Sequence, residues 1–272
     1  GKSAGFAALL PAAAAIKLPA DPTLKDPARF TLIGMDRVRR KDSVAKSDGN
    51  ARFTQDVHMP DMLVAVVAHA PMFGATVRSF DATDTRKVPG VVDVIRIPSG
   101  VAVLARDTYT AKLGRDALKV DWNDAEAEKR SSDQIMAEYR RVAAGDAGNL
   151  AAMPFDGKGD AATAPGGDPI PFAYEFPFLA HATMEPMNCV AQVENDRCKL
   201  TYGAQVQTLD QQNTAKIAAM PPGAVEIETL FAGGSFGRRT TPTSDYVVEC
   251  VHIAKAVGGG RPLRVLGRRP GV

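Results

Sequence analysis

The chain of 272 residues is long enough for one or two packed cores, and 45% of its residues are hydrophobic. This composition excludes a disordered chain, a collagen and a small disulfide scaffold. The 33 basic and 31 acidic residues leave a formal charge of +2, so no overall field marks the chain as a nucleic-acid binder. The three cysteines, Cys189, Cys198 and Cys250, form no CxxC motif, which predicts no metal centre on the chain's own thiols.

An apolar run occupies residues 4–16 and contains Pro11. It is shorter than the roughly 18 to 20 residues that span a bilayer, so no transmembrane segment is predicted. Two interpretations stay open: a short Ala-rich helix, or the hydrophobic region of a signal peptide. Residues 17–35 mix prolines with charges, which favours an extended connection. We therefore interpret residues 1–35 as a connector with the remnant of an upstream segment.

Short runs rich in Val and Ile, separated by Gly or Pro, follow from residue 51 onward. They predict strands over residues 51–57, 62–69, 75–80, 91–97 and 101–105. Helices are predicted over 81–88, which ends at Pro89, and over 107–118, where Asp107 can cap the first turn. Strands interleaved with helices describe a compact α/β (α+β) domain, placed at residues 36–125.

Residues 126–171 are predicted to be a linker with one helix. Ser131 can cap a helix that runs to Ala143, whereas the Gly- and Pro-rich stretch 144–171 indicates a connector. We expect the regions on either side of this linker to pack separately.

A second globular region is predicted over residues 172–272. Its strands are predicted at residues 172–178, 188–194, 198–202, 225–230 and 263–266, with helices at 209–219 and 244–257. The last strand stands at the end of the sequence, and we expect it to lack a partner strand.

A Gly-rich loop at residues 232–239 follows a predicted strand, a position where glycine lets backbone amides approach a ligand. It matches neither GxGxxG nor GxxxxGK[ST], so no nucleotide site is predicted. The loop is interpreted either as a cradle for an anion or a cofactor, or as a structural turn with solvated arginines.

Two further polar segments could carry chemistry. His181 and Glu185 stand four positions apart, but Pro186 argues against a helix and only two ligand-type residues are present. A buried carboxylate that holds loop amides is therefore preferred to a metal site. Gln205 and Gln207 could donate hydrogen bonds to a bound oxo or carbonyl group, or could form a polar strand end.

Three motifs in this order carry a family resemblance: HATMEPMNCVAQV at 181–193, GAQVQT at 203–208 and AGGSFGRR at 232–239. They resemble the molybdopterin-binding large subunits of the xanthine dehydrogenase and aldehyde oxidase family, in the isoquinoline 1-oxidoreductase beta-subunit branch. The start of that branch's hammerhead domain is matched at Leu32, Ile33, Gly34, Arg40, Asp42, Lys46, Gly49, Phe53 and Asp56. The resemblance implies a hammerhead α/β domain followed by the first part of a molybdopterin-binding domain.

The resemblance also implies site residues. The spacing from Gln205 to Phe236 agrees with the family layout, which places this Gln, rather than Gln207, near the apical oxo ligand of molybdenum. The implied cofactor-binding set is Gln205, Gly233, Gly234, Phe236, Gly237 and Arg238. Thr240 stands where purine-oxidising members carry a substrate-orienting Glu, which argues against purine oxidation.

The implied function is that of a molybdenum hydroxylase large subunit, oxidising small-molecule aldehydes or N-heteroaromatic compounds with water-derived oxygen. The molybdenum–molybdopterin cofactor would be shared with segments outside this sequence, which would also supply the base Glu. No catalytic residue and no metal ligand is thus assigned here, and the isolated chain is expected to be inactive.

Implied partners are the remaining portion of the large subunit, an iron–sulfur small subunit that carries the clusters, and a cytochrome c. The expected location is periplasmic or membrane-associated, with a cytoplasmic one as the alternative. The rival function is a non-catalytic binding or assembly module of the same fold without cofactor.

Overall fold

The computed structural model of the chain describes residues 3–148, 153, 155–159, 166, 167, 170 and 172–267. The chain forms two compact units, Gly1–Ala51 and Arg52–Val272. Much of the predicted connector at 144–171, together with residues 268–272, lies outside the described residues.

The first unit contains helix α1 (Phe6–Ala14), a 3-10 turn (Pro27–Arg29) and the short helix α2 (Ser43–Ser47). Helix α1 forms where the Ala-rich helix was predicted, and none of its residues is buried. No helix among the described residues combines the length and the apolar character needed to cross a membrane.

The second unit is a mixed α/β structure, which confirms the predicted fold class. Its strands are β1 (Leu63–His69), β2 (Thr76–Asp81), β3 (Val91–Ile97), β4 (Gly100–Ala105), β5 (Lys119–Asn123), β6 (Asn188–Val193), β7 (Cys198–Tyr202), β8 (Val225–Thr229) and β9 (Leu263–Leu266). Its helices are α3 (Thr108–Asp116), α4 (Ser132–Ala143), α5 (Gln207–Ala218) and α6 (Asp245–Val257). Among the described residues, seven strands form one sheet in the order β3-β4-β1-β9-β6-β7-β8, and β2 pairs with β5.

Strand β9 joins the two halves of this sheet. It pairs in parallel with β1 and antiparallel with β6. The expectations that this strand lacks a partner and that the two regions pack separately are therefore wrong. The physical reason is that an interior strand needs hydrogen-bonded neighbours along both of its edges: β4 covers one edge of β1 and β7 one edge of β6, and β9 covers the other edge of each. The resulting core is continuous, and it contains Leu104, Leu200 and Val251.

Two predicted helix caps are confirmed. The Asp107 carboxylate accepts a hydrogen bond of 2.8 Å from the Thr110 N–H at the start of α3. Ser131 caps α4, and its hydroxyl accepts from the Gln134 N–H at 3.3 Å. Both side chains satisfy N–H groups that lack a partner in the first helical turn.

Three predicted elements differ from the observed structure. Residues 51–57 contain a 3-10 turn (Thr54–Asp56) rather than a strand, because the Asp56 carboxylate accepts from the Phe53 N–H at 2.8 Å and closes the turn. Residues 81–88 hold only a 3-10 turn (Thr85–Lys87), since Asp81 is used by β2. Residues 172–178 alternate like a strand but form none, because no described strand pairs with them.

Candidate functional site

Three loops meet at one edge of the sheet. Strands β7 and β8 are parallel, with Tyr202 opposite Thr229, so the segments that follow them leave the sheet at the same edge. Strand β6 is antiparallel to β7, so the segment that precedes Asn188 reaches that edge as well. This topology brings together the three polar motifs that stand far apart in the sequence.

Glu185 is the buried carboxylate that holds these loops together. It is 8% exposed, and its Oε2 accepts from the Gly233 N–H at 2.8 Å. Its Oε1 accepts from Asn188 Nδ2 at 3.0 Å, and its own N–H donates to the Gly233 carbonyl at 3.1 Å. The interpretation of Glu185 as a carboxylate that binds loop amides is confirmed.

Arg239 is the functional-site residue that the sequence reasoning missed. Its side chain is 1% exposed. The interpretation of the loop as a structural turn with solvated arginines is therefore wrong for Arg239. Its guanidinium donates to Glu185 Oε2 at 3.2 Å and to the Gly203 and Gly234 carbonyls at 3.0 Å each. A buried guanidinium is stable only when its donors are paired. Arg239 therefore ties all three loops to one another.

Gln205 lies beside the Gly-rich loop. Ser235 Oγ donates to Gln205 Oε1 at 2.5 Å, so Gln205 contacts the residue that precedes the turn at Phe236. Gln207, by contrast, begins α5, and its Nε2 donates to Thr229 Oγ1 at 3.3 Å. Of the two glutamines, the structure brings only Gln205 into contact with this loop.

The turn at Phe236 and Gly237 lies at the surface of the protein. Both residues have positive φ angles, 51° and 84°, and the Phe236 side chain is 74% exposed. A Cβ added at Gly237 would meet nothing within 4 Å. Within the described residues, the backbone N–H groups of 234–237 donate no hydrogen bond. The turn thus offers unused donors where a ligand could approach closely.

The other predicted glycines face the protein. A Cβ at Gly233 would lie 2.4 Å from the Glu185 Cβ, and one at Gly234 would lie 3.3 Å from Thr183. Because Gly233 and Gly234 lack side chains, the loop can pack closely against the segment that contains Thr183 and Glu185. Of the three predicted cofactor-binding glycines, Gly237 is the one whose backbone faces open space.

Arg238 is engaged by helix α6. Its guanidinium donates to both carboxylate oxygens of Asp245, at 2.8 and 2.6 Å, and this hydrogen bonding raises the pKa of Arg238. Burial acts to raise the pKa of Asp245, but the contact with Arg238 outweighs it and holds that pKa below its usual range. The pair anchors the loop to α6, and a contact of Arg238 with a cofactor stays a prediction.

A buried pair links the two elements on either side of Gln205. The Tyr202 hydroxyl, at the end of β7, donates to Asp210 Oδ2 on α5 at 2.6 Å. Burial raises the pKa of Tyr202, so its phenol stays protonated as a donor. Because the pair ties β7 to α5, the short connection that carries Gln205 is held at both ends.

Comparisons with known proteins bear on this edge of the sheet. Residues 145–270 match the family model described as a molybdopterin cofactor-binding domain. Over 249 residues, the chain is 32% identical to the isoquinoline 1-oxidoreductase subunit beta of Brevundimonas diminuta, covering 86% of this chain and 31% of the relative. The chain belongs to the xanthine dehydrogenase and aldehyde oxidase family of molybdopterin-binding subunits.

Two further likenesses extend the comparison. The chain is 29% identical over 251 residues to a membrane-bound aldehyde dehydrogenase (pyrroloquinoline-quinone) of Gluconacetobacter polyoxogenes, covering 89% of this chain and 32% of the relative. The crystal structure of quinoline 2-oxidoreductase from Pseudomonas putida 86 shares the fold, with a TM-score of 0.55 and 18% identity over 84% of this chain and 34% of that chain. The chain spans about a third of the length of these curated relatives.

The residues at the sheet edge fit a molybdopterin-type cofactor. Such a group is rich in oxygen acceptors and needs hydrogen-bond donors on a close, preorganised surface. The turn at Gly237 supplies backbone N–H groups that donate no hydrogen bond among the described residues, and Gln205 supplies a carboxamide N–H₂. The fit rests on donors from two loops, the Gln205 connection and the Gly-rich loop, which Glu185 and Arg239 hold in place.

Proposed function

We propose that this chain forms one wall of the molybdopterin site in a molybdenum hydroxylase that oxidises aldehydes or N-heteroaromatic compounds. When bound, the cofactor supplies the two-electron oxidation chemistry, with oxygen taken from water. The chain's own contribution is binding and orientation. One observation carries the proposal: Gln205 and the open turn at Gly237 lie on the same edge, joined through Ser235.

The roles of the individual residues follow from their contacts. Gln205 points a carboxamide N–H₂ away from Ser235, and the turn at 236–237 adds backbone donors. Donors fixed before the reaction begins stabilise charge that develops on a bound group without reorganising. Glu185 and Arg239 are buried and act by holding the donor-bearing loops.

The substrate class is proposed from the loop and from the relatives. Thr240 donates from its hydroxyl to the Gly237 carbonyl at 2.6 Å, and this short side chain carries no charge with which to orient a purine. The relatives include an isoquinoline 1-oxidoreductase subunit and an aldehyde dehydrogenase. A small aldehyde or an N-heteroaromatic ring is therefore the proposed substrate.

The rest of the assembly is proposed by analogy with the subunit names of the relatives. We propose that the remaining portion of a large subunit completes the site and supplies the base Glu, and that an iron–sulfur subunit accepts the electrons. In this arrangement the isolated chain would be inactive.

A pair of matched substitutions tests the site. In the native assembly that contains this chain, we expect Gln205→Ala to lower turnover of an aldehyde or an N-heteroaromatic substrate by about 10²- to 10³-fold, or to release molybdenum. Gln207→Ala removes the same kind of side chain two residues further along, at the start of α5. This substitution should leave turnover and metal content unchanged. Equal effects of the two substitutions, or no effect of Gln205→Ala, would contradict the assignment and favour the assembly-module alternative.

A further inference from the structure

We propose that Ser235 is a positioning residue that sets the orientation of the Gln205 carboxamide toward the cofactor. The inference rests on the proposed function, and it adds a residue outside the predicted cofactor-binding set. Its basis is the 2.5 Å hydrogen bond from Ser235 Oγ to Gln205 Oε1.

The direction of this hydrogen bond follows from the other contact of the hydroxyl. The Arg239 N–H donates to Ser235 Oγ at 3.1 Å, so the oxygen acts as an acceptor there. A hydroxyl has a single proton to give, and here it goes to Gln205 Oε1. The oxygen end of the carboxamide is thereby held against the loop, and Nε2 with its two donors is turned outward.

The hydroxyl itself stands on a rigid base. The backbone of Arg239 is fixed because its buried guanidinium bonds to Glu185 and to the carbonyls of Gly203 and Gly234. The buried Glu185–Arg239 pair therefore fixes the Ser235 hydroxyl, and the hydroxyl in turn restrains the exposed Gln205 side chain. An orienting contact is most effective when its own support cannot move.

Gln205 depends on this single contact. Its side chain is exposed, and among the described residues the bond from Ser235 is the only hydrogen bond that it makes. Without it, the carboxamide is free to rotate between its two orientations and among several rotamers. Loss of one hydrogen bond of this kind corresponds to a decrease of about 3- to 10-fold in the productive population.

The experiment uses the native assembly with five test variants and one control. The test variants are Ser235→Ala, Ser235→Cys, Ser235→Thr, Gln205→Ala and Gln205→Ala with Ser235→Ala. We expect Ser235→Ala to lower kcat by about 3- to 10-fold. Ser235→Cys keeps the size but is a weak donor, so it should behave like Ser235→Ala, whereas Ser235→Thr keeps the hydroxyl and should restore turnover. Ser79→Ala, on the exposed side of β2, is the matched control and should change nothing.

Two readouts besides turnover separate positioning from general support. The electron paramagnetic resonance spectrum of the bound molybdenum should shift in the same sense in Ser235→Ala as in Gln205→Ala. The molybdenum retained after gel filtration should be unchanged in Ser235→Ala, because a loss of metal would indicate that the substitution loosens the loop as a whole. In the Gln205→Ala background, Ser235→Ala should have no further effect, because the group that it positions is already absent.

The outcomes distinguish this inference from the proposed function. If Gln205→Ala impairs the enzyme while Ser235→Ala matches Ser79→Ala, the role of Ser235 is overturned and the proposed function stands. An equal, additive loss from Ser235→Ala in both backgrounds also overturns it. If Gln205→Ala changes neither turnover nor spectrum, the proposed site fails and the role of Ser235 fails with it.

Discussion

At the scale of single residues, the ion pair between Glu185 and Arg239 determines the site geometry. Both side chains are buried, at 8% and 1% exposure, and their Oε2 and Nη2 atoms lie 3.2 Å apart. Removing one partner of a buried pair leaves the other charge uncompensated, and the loss is larger than for an exposed pair. The pair therefore has a measurable signature in stability.

We expect Glu185→Ala to lower the free energy of unfolding by about 3 to 5 kcal/mol in urea denaturation. Glu185→Gln keeps the shape and an acceptor for the Gly233 N–H, so its cost should be smaller. Glu226→Ala is the control, since Glu226 is 71% exposed in its pair with Lys199 and should cost less than about 0.5 kcal/mol. A loss for Glu185→Ala no greater than that of Glu226→Ala would show that the pair does not support the loops.

The site residues differ in how far the sequence could predict them. Glu185 was predicted as a buried carboxylate because Pro186 excluded a helical metal site, and the contacts agree. The burial of Arg239 was not predicted, because an arginine side chain is normally exposed. Its burial depends on the carbonyl of Gly203, which is distant in sequence, and on that of Gly234, whose position depends on the turn. The signal that could have found it is the pairing of an acidic and a basic residue across two motifs.

At the scale of elements, a histidine at the end of β1 is linked to helix α6. His69 Nε2 lies 2.6 Å from Glu249 Oε2, which also accepts from Ser99 Oγ at 2.5 Å. Burial acts to lower the pKa of His69, but the hydrogen bond and charge of Glu249 outweigh it, and the pKa is raised above 6.5. Nearby Asp245 acts in the same direction, and Arg115 opposes it.

The sign of the pH dependence follows from this shift. A group whose pKa is higher in the folded state contributes stability that is complete below its unfolded pKa and disappears as the pH rises through the folded one. We expect the stability of the wild type to decline relative to that of His69→Gln as the pH rises from about 6.5 through the raised folded-state pKa, measured as urea unfolding free energy.

His252→Gln on α6 is the control for this measurement. Burial lowers the pKa of His252, so removing that residue should change the pH slope in the opposite sense. Identical slopes for the wild type and His69→Gln would contradict the role of the contact between β1 and α6.

Local patterns predicted most helices and strands but not their partners. The caps at Asp107 and Ser131 depend on neighbouring residues and were predicted correctly. The stretch 172–178 has the alternation of a strand, yet a strand needs a hydrogen-bonded neighbour that its own sequence does not encode. Strand pairing depends on the whole chain, so the sequence of one segment does not determine which strand it pairs with.

At the scale of the whole molecule, β9 shows why the predicted separation failed. Leu263 and Val265 belong to the last described strand, but they pair with β1 and β6, which are far away in the sequence. The Gly- and Pro-rich composition of 144–171 suggested a boundary between cores, whereas the seven-stranded sheet of the described residues is continuous across it. The loop that carries Gln205 thus lies where strands of a single continuous sheet end.

We propose that this edge of the sheet is part of a molybdopterin site. The most direct test is the molybdenum and pterin content of the native assembly that contains this chain, measured by metal analysis and by fluorescence of the released pterin. We expect about one molybdenum and one pterin equivalent per copy of the chain, both lost together when the cofactor is removed. An assembly that is folded and complete in its subunits but contains neither would contradict the account and identify the chain as a binding or assembly module.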